Sequence, residues 1–222
     1  MLFRSDKQIT QENINLDNPK YYENRELSWL EFNQRVLDEA ENPENPLFER
    51  LKFLSIVSSN LDEFFMVRVA SIIEQIEANF DRPDYSGMEP KEQYVKITRR
   101  AHTMVEDQSR IFKRSIIPGL RKQGIHFNLE ISKLEVYQLD YLSNYFDNTL
   151  FPILTPLAVD SSRPFPLILN KSYNIGVLVK KNDEEHFATV QVPAVISRYI
   201  KFPPWIQRSD NSLCLLILSI TF

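Results

Sequence analysis

Glycine is scarce in this sequence, with 4 residues against 13 prolines, and neither a GxGxxG run nor a Walker-type loop occurs. A nucleotide cradle built from glycine-freed backbone is thereby excluded. The single cysteine, Cys214, cannot close an internal disulfide, which fits a reducing compartment. The three histidines, His102, His126 and His186, lie far apart without ligand spacing, so no metal cluster is expected. No apolar run reaches the ~18 to 20 residues that span a bilayer, and the opening MLFRSDKQIT is too polar for a secretory signal. These absences predict a soluble, cytoplasmic protein without a transmembrane segment.

What is present is a globular composition. With 222 residues, 43% hydrophobic and 25% charged, the chain can bury one substantial core or two modest ones. Residues 1 to about 20 read as a flexible polar leader.

From 21 onward the apolar spacing is helical. Ser28 with Glu31 reads as a capping box opening a first helix, with Trp29, Phe32, Val36, Leu37 and Ala40 on its inner face and Asn42-Pro43 ending it. Asn45-Pro46 opens a second helix that turns Leu47, Leu51, Leu54 and Val57 inward. Ser58-Ser59-Asn60-Leu61-Asp62-Glu63 reads as the start of a third, capped by Asn60 and running to about Phe80. That start has two readings. Asn60 can cap free N–H groups, and the same helix end can meet a phosphate or polar ligand.

A fourth helix is predicted from about Pro90 to Ile117. At about 100° per residue, Lys96, Arg99, Arg100, Arg110 and Arg114 share one arc, and Ile97, Ala101, Met104, Val105, Gln108, Ile111 and Phe112 occupy a separate, mostly apolar one. Charge is unevenly spread: residues 1–88 carry 9 basic and 17 acidic side chains, residues 89–123 carry 9 and 4. Within a chain of net charge −4 this basic stripe is a solvated face or a site for a polyanion.

Pro118-Gly119 and Gly124 mark a change of pattern. Ser132 and Glu135 suggest another capping box, residues 150–157 an extended run, and Asn174–Lys180 and Phe187–Val192 a hairpin around residues 181–185. The fold class expected is mixed α and α/β: an amino-terminal antiparallel helical bundle over 21–122, then an incomplete α/β or α+β domain over 123–208 and an atypical apolar tail over 209–222.

Glu26-Leu27-Ser28-Trp29-Leu30-Glu31-Phe32-Asn33, Arg35-Val36-Leu37, Pro46-Leu47, Glu49-Arg50-Leu51-Lys52-Phe53-Leu54 and Ser58 to Arg68, in that order, resemble the amino-terminal helical domain of the ATP-dependent, long-chain polyphosphate kinase family. Thr155-Pro156-Leu157-Ala158-Val159-Asp160, Arg163-Pro164-Phe165-Pro166 and Val190-Gln191-Val192-Pro193 resemble the start of its head domain. The likeness runs from about residue 21 to about 204.

The resemblance implies a phosphotransferase that moves the terminal phosphoryl group of ATP onto polyphosphate through a phosphohistidine, with magnesium. It implies an ATP contact at Asn60, a further phosphate contact at Arg68, and a homo-oligomeric complete enzyme that can associate peripherally with membranes. Arg99, Arg100 and Arg114 are the candidate polyphosphate contacts of the stripe. The catalytic histidines belong to carboxy-terminal domains in this family, so no catalytic or metal-binding residue is expected among these 222, and the chain is expected to be inactive alone. The alternative is a non-catalytic helical module that binds nucleotide or polyphosphate, or an acidic protein partner. Nucleic acid is not expected, because aromatic residues do not interleave the stripe.

Overall fold

The computed structural model describes residues 15–128, 131–160, 162–181, 184–197, 199–207 and 213–217. The chain divides into two compact units, Met1–Gly119 and Leu120–Phe222.

The first unit is helical: α1 (Arg25–Glu41), α2 (Leu47–Phe64), α3 (Ala70–Glu77) and α4 (Pro90–Ile111), with α5 (Ile117–Lys122) spanning the division. Leu30, Leu37, Ala40, Val57, Ile97 and Met104 form the centre of its core, each fully buried.

The helix starts differ from expectation in instructive ways. The cap of α1 is Asn24, four residues before Ser28, and its Oδ1 accepts from the N–H of Glu26 and Leu27. Asn60 opens nothing. It lies inside α2, which passes through a π-turn over Phe65–Val69 directly into α3. With no proline or glycine between Leu47 and Glu77, nothing interrupts the backbone ladder, and the polar run is absorbed into helix.

The π-turn inserts one residue and shifts the phase of the buried face. Leu61 and Phe64 are buried, then Val69 and Ile72, while Phe65 and Ile73 are 39% and 37% exposed. On α1 the inner face is Glu26, Leu30, Asn33, Leu37 and Ala40, and Phe32 lies 48% exposed. A second π-turn, Phe112–Ile116, joins α4 to α5. Pro118-Gly119 therefore does not interrupt the helix, although the division between the two units falls there. Pro118 is the second residue of α5, just after the π-turn, and Gly119 lets Leu47 approach, because an added Cβ would meet Leu47 Cδ1 at 2.8 Å.

The second unit is mixed. Strand β1 (Ile125–Asn128) precedes α6 (Val136–Tyr145), whose N-cap is Glu135 with Gln138 completing the box, in place of the expected Ser132 with Glu135. A π-turn and a 3₁₀ turn then occupy Phe146–Ile153, so of the run 150–157 expected to be extended only the part from Leu154 onward is. Strands β2 (Pro156–Val159), β3 (Tyr173–Lys181) and β4 (Glu184–Val192) form an antiparallel sheet in the order β2-β4-β3. The β3–β4 hairpin is the one expected, in register from Tyr173 opposite Val192 to Lys181 opposite Glu184. A second sheet, β1-β6-β5, joins β5 (Tyr199–Lys201) antiparallel to β6 (Leu213–Ile217), and β6 parallel to β1. Leu150, Val192 and Ile196 centre a small core flanked by Tyr145, Phe146, Leu154, Tyr173 and Ile175.

Candidate functional site

The antiparallel α1–α2 pair places three contacts in a row along one seam. Asn60 Nδ2 donates to Asn33 Oδ1 at 2.9 Å. The Trp29 ring stacks on Phe64 with centroids 4.5 Å apart and planes at 4°. Beyond α2 in the π-turn, Arg68 Nη1 lies 3.0 Å from Glu26 Oε2. Each step advances about one turn on both helices, so Asn60 and Arg68 are about 12 Å apart along the axis at 1.5 Å per residue.

Asn60 is half-buried, and its partner Asn33 is fully buried. Asn33 Nδ2 points on to Met104 Sδ at 3.3 Å, so the amide orientation of Asn60 is set by a chain that reaches α4. With one amide proton directed to Asn33, Asn60 keeps a carbonyl oxygen and a second N–H, the pair that an amide uses to read an adenine edge. Nearby, Gln108 Nε2 donates to Leu54 C=O and Ser58 Oγ at 2.8 and 2.6 Å, so the polar residues of this stretch find partners across the bundle.

At the other end of the seam a cleft of about 730 Å³ opens, with Arg68, Arg25 and Glu26 on its wall. Glu26 is 5% exposed, a placement that a carboxylate tolerates only with partners. Its Oε1 accepts from Arg25 Nε and Nη2 at 2.9 and 2.6 Å, and its Oε2 takes the Arg68 contact. The Arg68 guanidinium also sits 5.9 Å from the Trp29 ring centre, within cation–π range. The cleft floor is held by Asn24, 2% exposed, whose Nδ2 donates to Asp84 Oδ2 at 2.8 Å and Gln93 Oε1 at 3.0 Å. Asp84 Oδ1 accepts from Ser86 N–H, Ser86 O–H and Met88 N–H. Burial would raise the Asp84 carboxyl, but these hydrogen bonds and that from Asn24 outweigh it and hold the group below its ordinary range.

The arginines of α4 divide. Arg100 binds Glu31 through two contacts of 2.5 and 3.1 Å and also Gln34 at 3.0 Å. Lys96 pairs with Glu92 at 2.7 Å, and Arg110 with Glu41 and Asp107 at 2.8 and 3.0 Å. Arg99 and Arg114 are exposed, the latter within the second π-turn, which displaces it from the arc of a straight helix. The acids of α1 thus occupy much of the stripe. Among the described residues no group of three or more His, Cys, Asp or Glu is placed to hold a metal ion. No helix is long and apolar enough to cross a membrane, again among the described residues.

Glu26, Asn33 and Asn24 were not singled out by sequence reasoning. The available signal was their position: Glu26 and Asn33 fall in phase with Leu30, Leu37 and Ala40, so a polar residue on the apolar stripe marked each.

Comparison with known proteins covers most of the chain. Residues 22–128 match the polyphosphate kinase N-terminal domain and residues 137–220 the polyphosphate kinase middle domain, the second match running through the apolar segment after Trp205. The polyphosphate kinase of Halalkalibacterium halodurans is 48% identical over 203 residues, 90% of this chain and 29% of that protein. That of Bacillus cereus is 47% identical over 197 residues, 86% of this chain and 28% of the relative. The crystal structure of polyphosphate kinase from Porphyromonas gingivalis superposes with a TM-score of 0.67 at 28% identity, covering 87% of this chain and 29% of that one. The chain therefore spans somewhat under a third of the length of the proteins that it matches. Carrying two consecutive domains of one family in their order, it belongs to the polyphosphate kinase family.

Proposed function

We propose that this chain is the amino-terminal portion of an ATP–polyphosphate phosphotransferase and supplies one wall of its nucleotide pocket. Asn60 is the ATP contact. The observation that carries the reading is the buried chain from Met104 through Asn33 to Asn60, which fixes the Asn60 amide while leaving it the donor and acceptor that an adenine requires. A preset amide loses less freedom on binding, which favours a recognition role over a merely tolerated polar side chain.

The complete enzyme in this reading passes the terminal phosphoryl group of ATP to polyphosphate through a phosphohistidine, with magnesium, on segments outside these residues. Phosphoryl transfer rests on positioning and dense charge stabilisation, so the wall described here does not catalyse by itself. Homo-oligomerisation, cytoplasmic residence and peripheral membrane contact belong to the same reading. Of the candidate phosphate contacts, Arg99 and Arg114 present free-standing charge at the surface, whereas Arg100 must first release Glu31.

The test is ATP titration of the purified chain by calorimetry. Asn60→Ala is expected to weaken binding about tenfold, as loss of a bidentate amide contact does, with the melting transition retained. Unchanged affinity rejects the Asn60 assignment, and polyphosphate synthesis by the chain above background rejects the expected inactivity.

A second reading, a non-catalytic polyphosphate-binding module, is favoured by the exposed Arg99 and Arg114 alone. Reversing both charges with Asn60 intact separates the two. Loss of polyphosphate binding with ATP binding retained supports the module.

A further inference from the structure

Of the three buried amides in the helical unit, Asn33 is the one that holds no backbone. Asn24 caps α1, and Gln93 Nε2 donates to Met88 C=O at 2.9 Å, so each secures a turn or a loop. Asn33 is fully buried and in phase with Leu30, Leu37 and Ala40, a core position that a leucine would fill. Its hydrogen bonds among the described residues run to two side chains: Nδ2 donates to Met104 Sδ at 3.3 Å, and Oδ1 accepts from Asn60 Nδ2 at 2.9 Å. A thioether is a weak acceptor and compensates poorly for the burial of an amide. Stability alone does not account for an asparagine at this place.

The sulfur acts through its direction. A methionine Sδ accepts and cannot donate, so it takes the NH2 end of the Asn33 amide and would meet the carbonyl end lone pair against lone pair. Asn33 Oδ1 is thereby turned to α2, where it takes the NH2 end of Asn60. The two amides can reverse only together, and reversal leaves Sδ without a proton. Asn60 is consequently held with Oδ1 and its second N–H left over in one fixed order. Adenine offers the matching order, since its exocyclic amino group donates to such an oxygen and the neighbouring ring nitrogen accepts from the N–H. An oxo-purine in the same pose sets its exocyclic oxygen against Oδ1, and it is accommodated only where the amide can turn over.

We propose that Asn33 is the positioning residue that makes the Asn60 site select adenine over the oxo-purines hypoxanthine and guanine, with Met104 as the group that sets its direction. The inference rests on the reading of Asn60 as the nucleotide contact and adds to it the source of base selectivity. Asn33 touches no ligand and acts through Asn60. Binding is non-covalent, and the selectivity asks nothing of the phosphates.

The experiment titrates the purified chain by calorimetry with ATP and, separately, with inosine triphosphate, which differs from ATP in the base alone, and takes the ratio of the two affinities. The unaltered chain is expected to prefer ATP about tenfold, within the range over which one amide pair discriminates between bases. Asn33→Leu places an apolar side chain of similar shape on the apolar stripe, so the melting temperature is retained or rises. The ratio falls below about threefold as the amide pair loses its order, chiefly through tighter inosine triphosphate binding. Met104→Leu leaves Asn33 bound to Asn60 but without direction; it lowers the ratio by a smaller amount and decides the matter where Asn33→Leu does not fold. A packing role alone would shift the melting temperature and leave the ratio untouched. Absence of ATP binding, or ATP binding indifferent to Asn60→Ala, overturns the Asn60 reading and this inference with it. ATP binding that Asn60→Ala weakens, with a ratio near one in the unaltered chain or a ratio unchanged in each variant that folds, overturns this inference alone.

Discussion

The two units differ in what their buried polar groups hold and in the apolar surface that their strands and loops leave exposed. In the helical unit the centre is fully buried, and polar side chains are buried with it: Asn24, Glu26, Asn33 and Gln93, at 8% exposure or less. The mixed unit buries Phe202 and Leu150 at 0% and 3% and the polar Gln138 and Thr189 at 3% and 4%, but it also leaves Leu167, Val195, Trp205 and Leu178 at 91%, 87%, 78% and 71% exposure. The first arrangement fixes geometry, because the buried Asn24, Glu26, Asn33 and Gln93 are each held by side chains or backbone of other segments, although Thr98 Oγ1 on α4 is buried without a partner among the described residues. The second leaves apolar surface of the sort that interfaces use. Position is set in the helices, and surface is offered by the sheets.

The contrast can be broken by substitution. Leu37→Ala, at a fully buried position, is expected to cost about 2–5 kcal/mol in a denaturant titration; Leu178→Ala, on the exposed side of β3, is expected to change stability by no more than about 0.5 kcal/mol. Equal losses would mean that the two units are packed alike. Asn24→Ala removes a helix cap together with the contacts to Asp84 and Gln93 and is expected to cost about 1–3 kcal/mol, whereas Ser28→Ala, once the cap has passed to Asn24, stays within about 0.5 kcal/mol.

The acid limb of the stability profile sharpens the comparison further. Asp84 is held below its ordinary value of 3.8 in the folded chain, so its contribution is present above that pH and is lost as pH falls through the lower, folded value. Asp84→Asn should flatten the profile below about pH 4, and an unchanged slope would show that Asp84 is not a linked group. The smallest effect is expected at Arg100→Gln. Its pair with Glu31 is largely solvent-facing, and a loss of about 0–1 kcal/mol in thermal melts is anticipated.

Much of this architecture was legible in the sequence: a helical bundle, a change of pattern near residue 120, a hairpin over 174–192 and the family itself. The misses share a cause. Ser28 and Asn24 both look like caps from local spacing, and the choice between them involves Asp84 and Gln93, 60 and 69 residues away. Asn60 looked like a helix start because Ser, Asn and Asp favour caps, yet Asn33 and Gln108 give this run partners from other helices. The α4 stripe looked free because Glu31 and Glu41 belong to another helix. Of the site, Asn60 and Arg68 were visible through the resemblance; Glu26, which orders one end of the seam, was visible only as a polar residue on an apolar stripe.

One pairing in the mixed unit also governs time. Strand β1 lies beside β6 in parallel, with Ile125 opposite Leu213, so about 90 residues must be synthesised and their loop closed before β1 gains its partner. The helical unit, built on local contacts and neighbouring helices, has no such wait. During synthesis the seam that carries Asn60 and Arg68 can consolidate first, while β1 remains an open edge until β6 arrives. Folding order in this chain therefore runs from the positioning scaffold to the sheet, and slowing translation between residues 129 and 213 is expected to lengthen the exposure of β1 without delaying the helices.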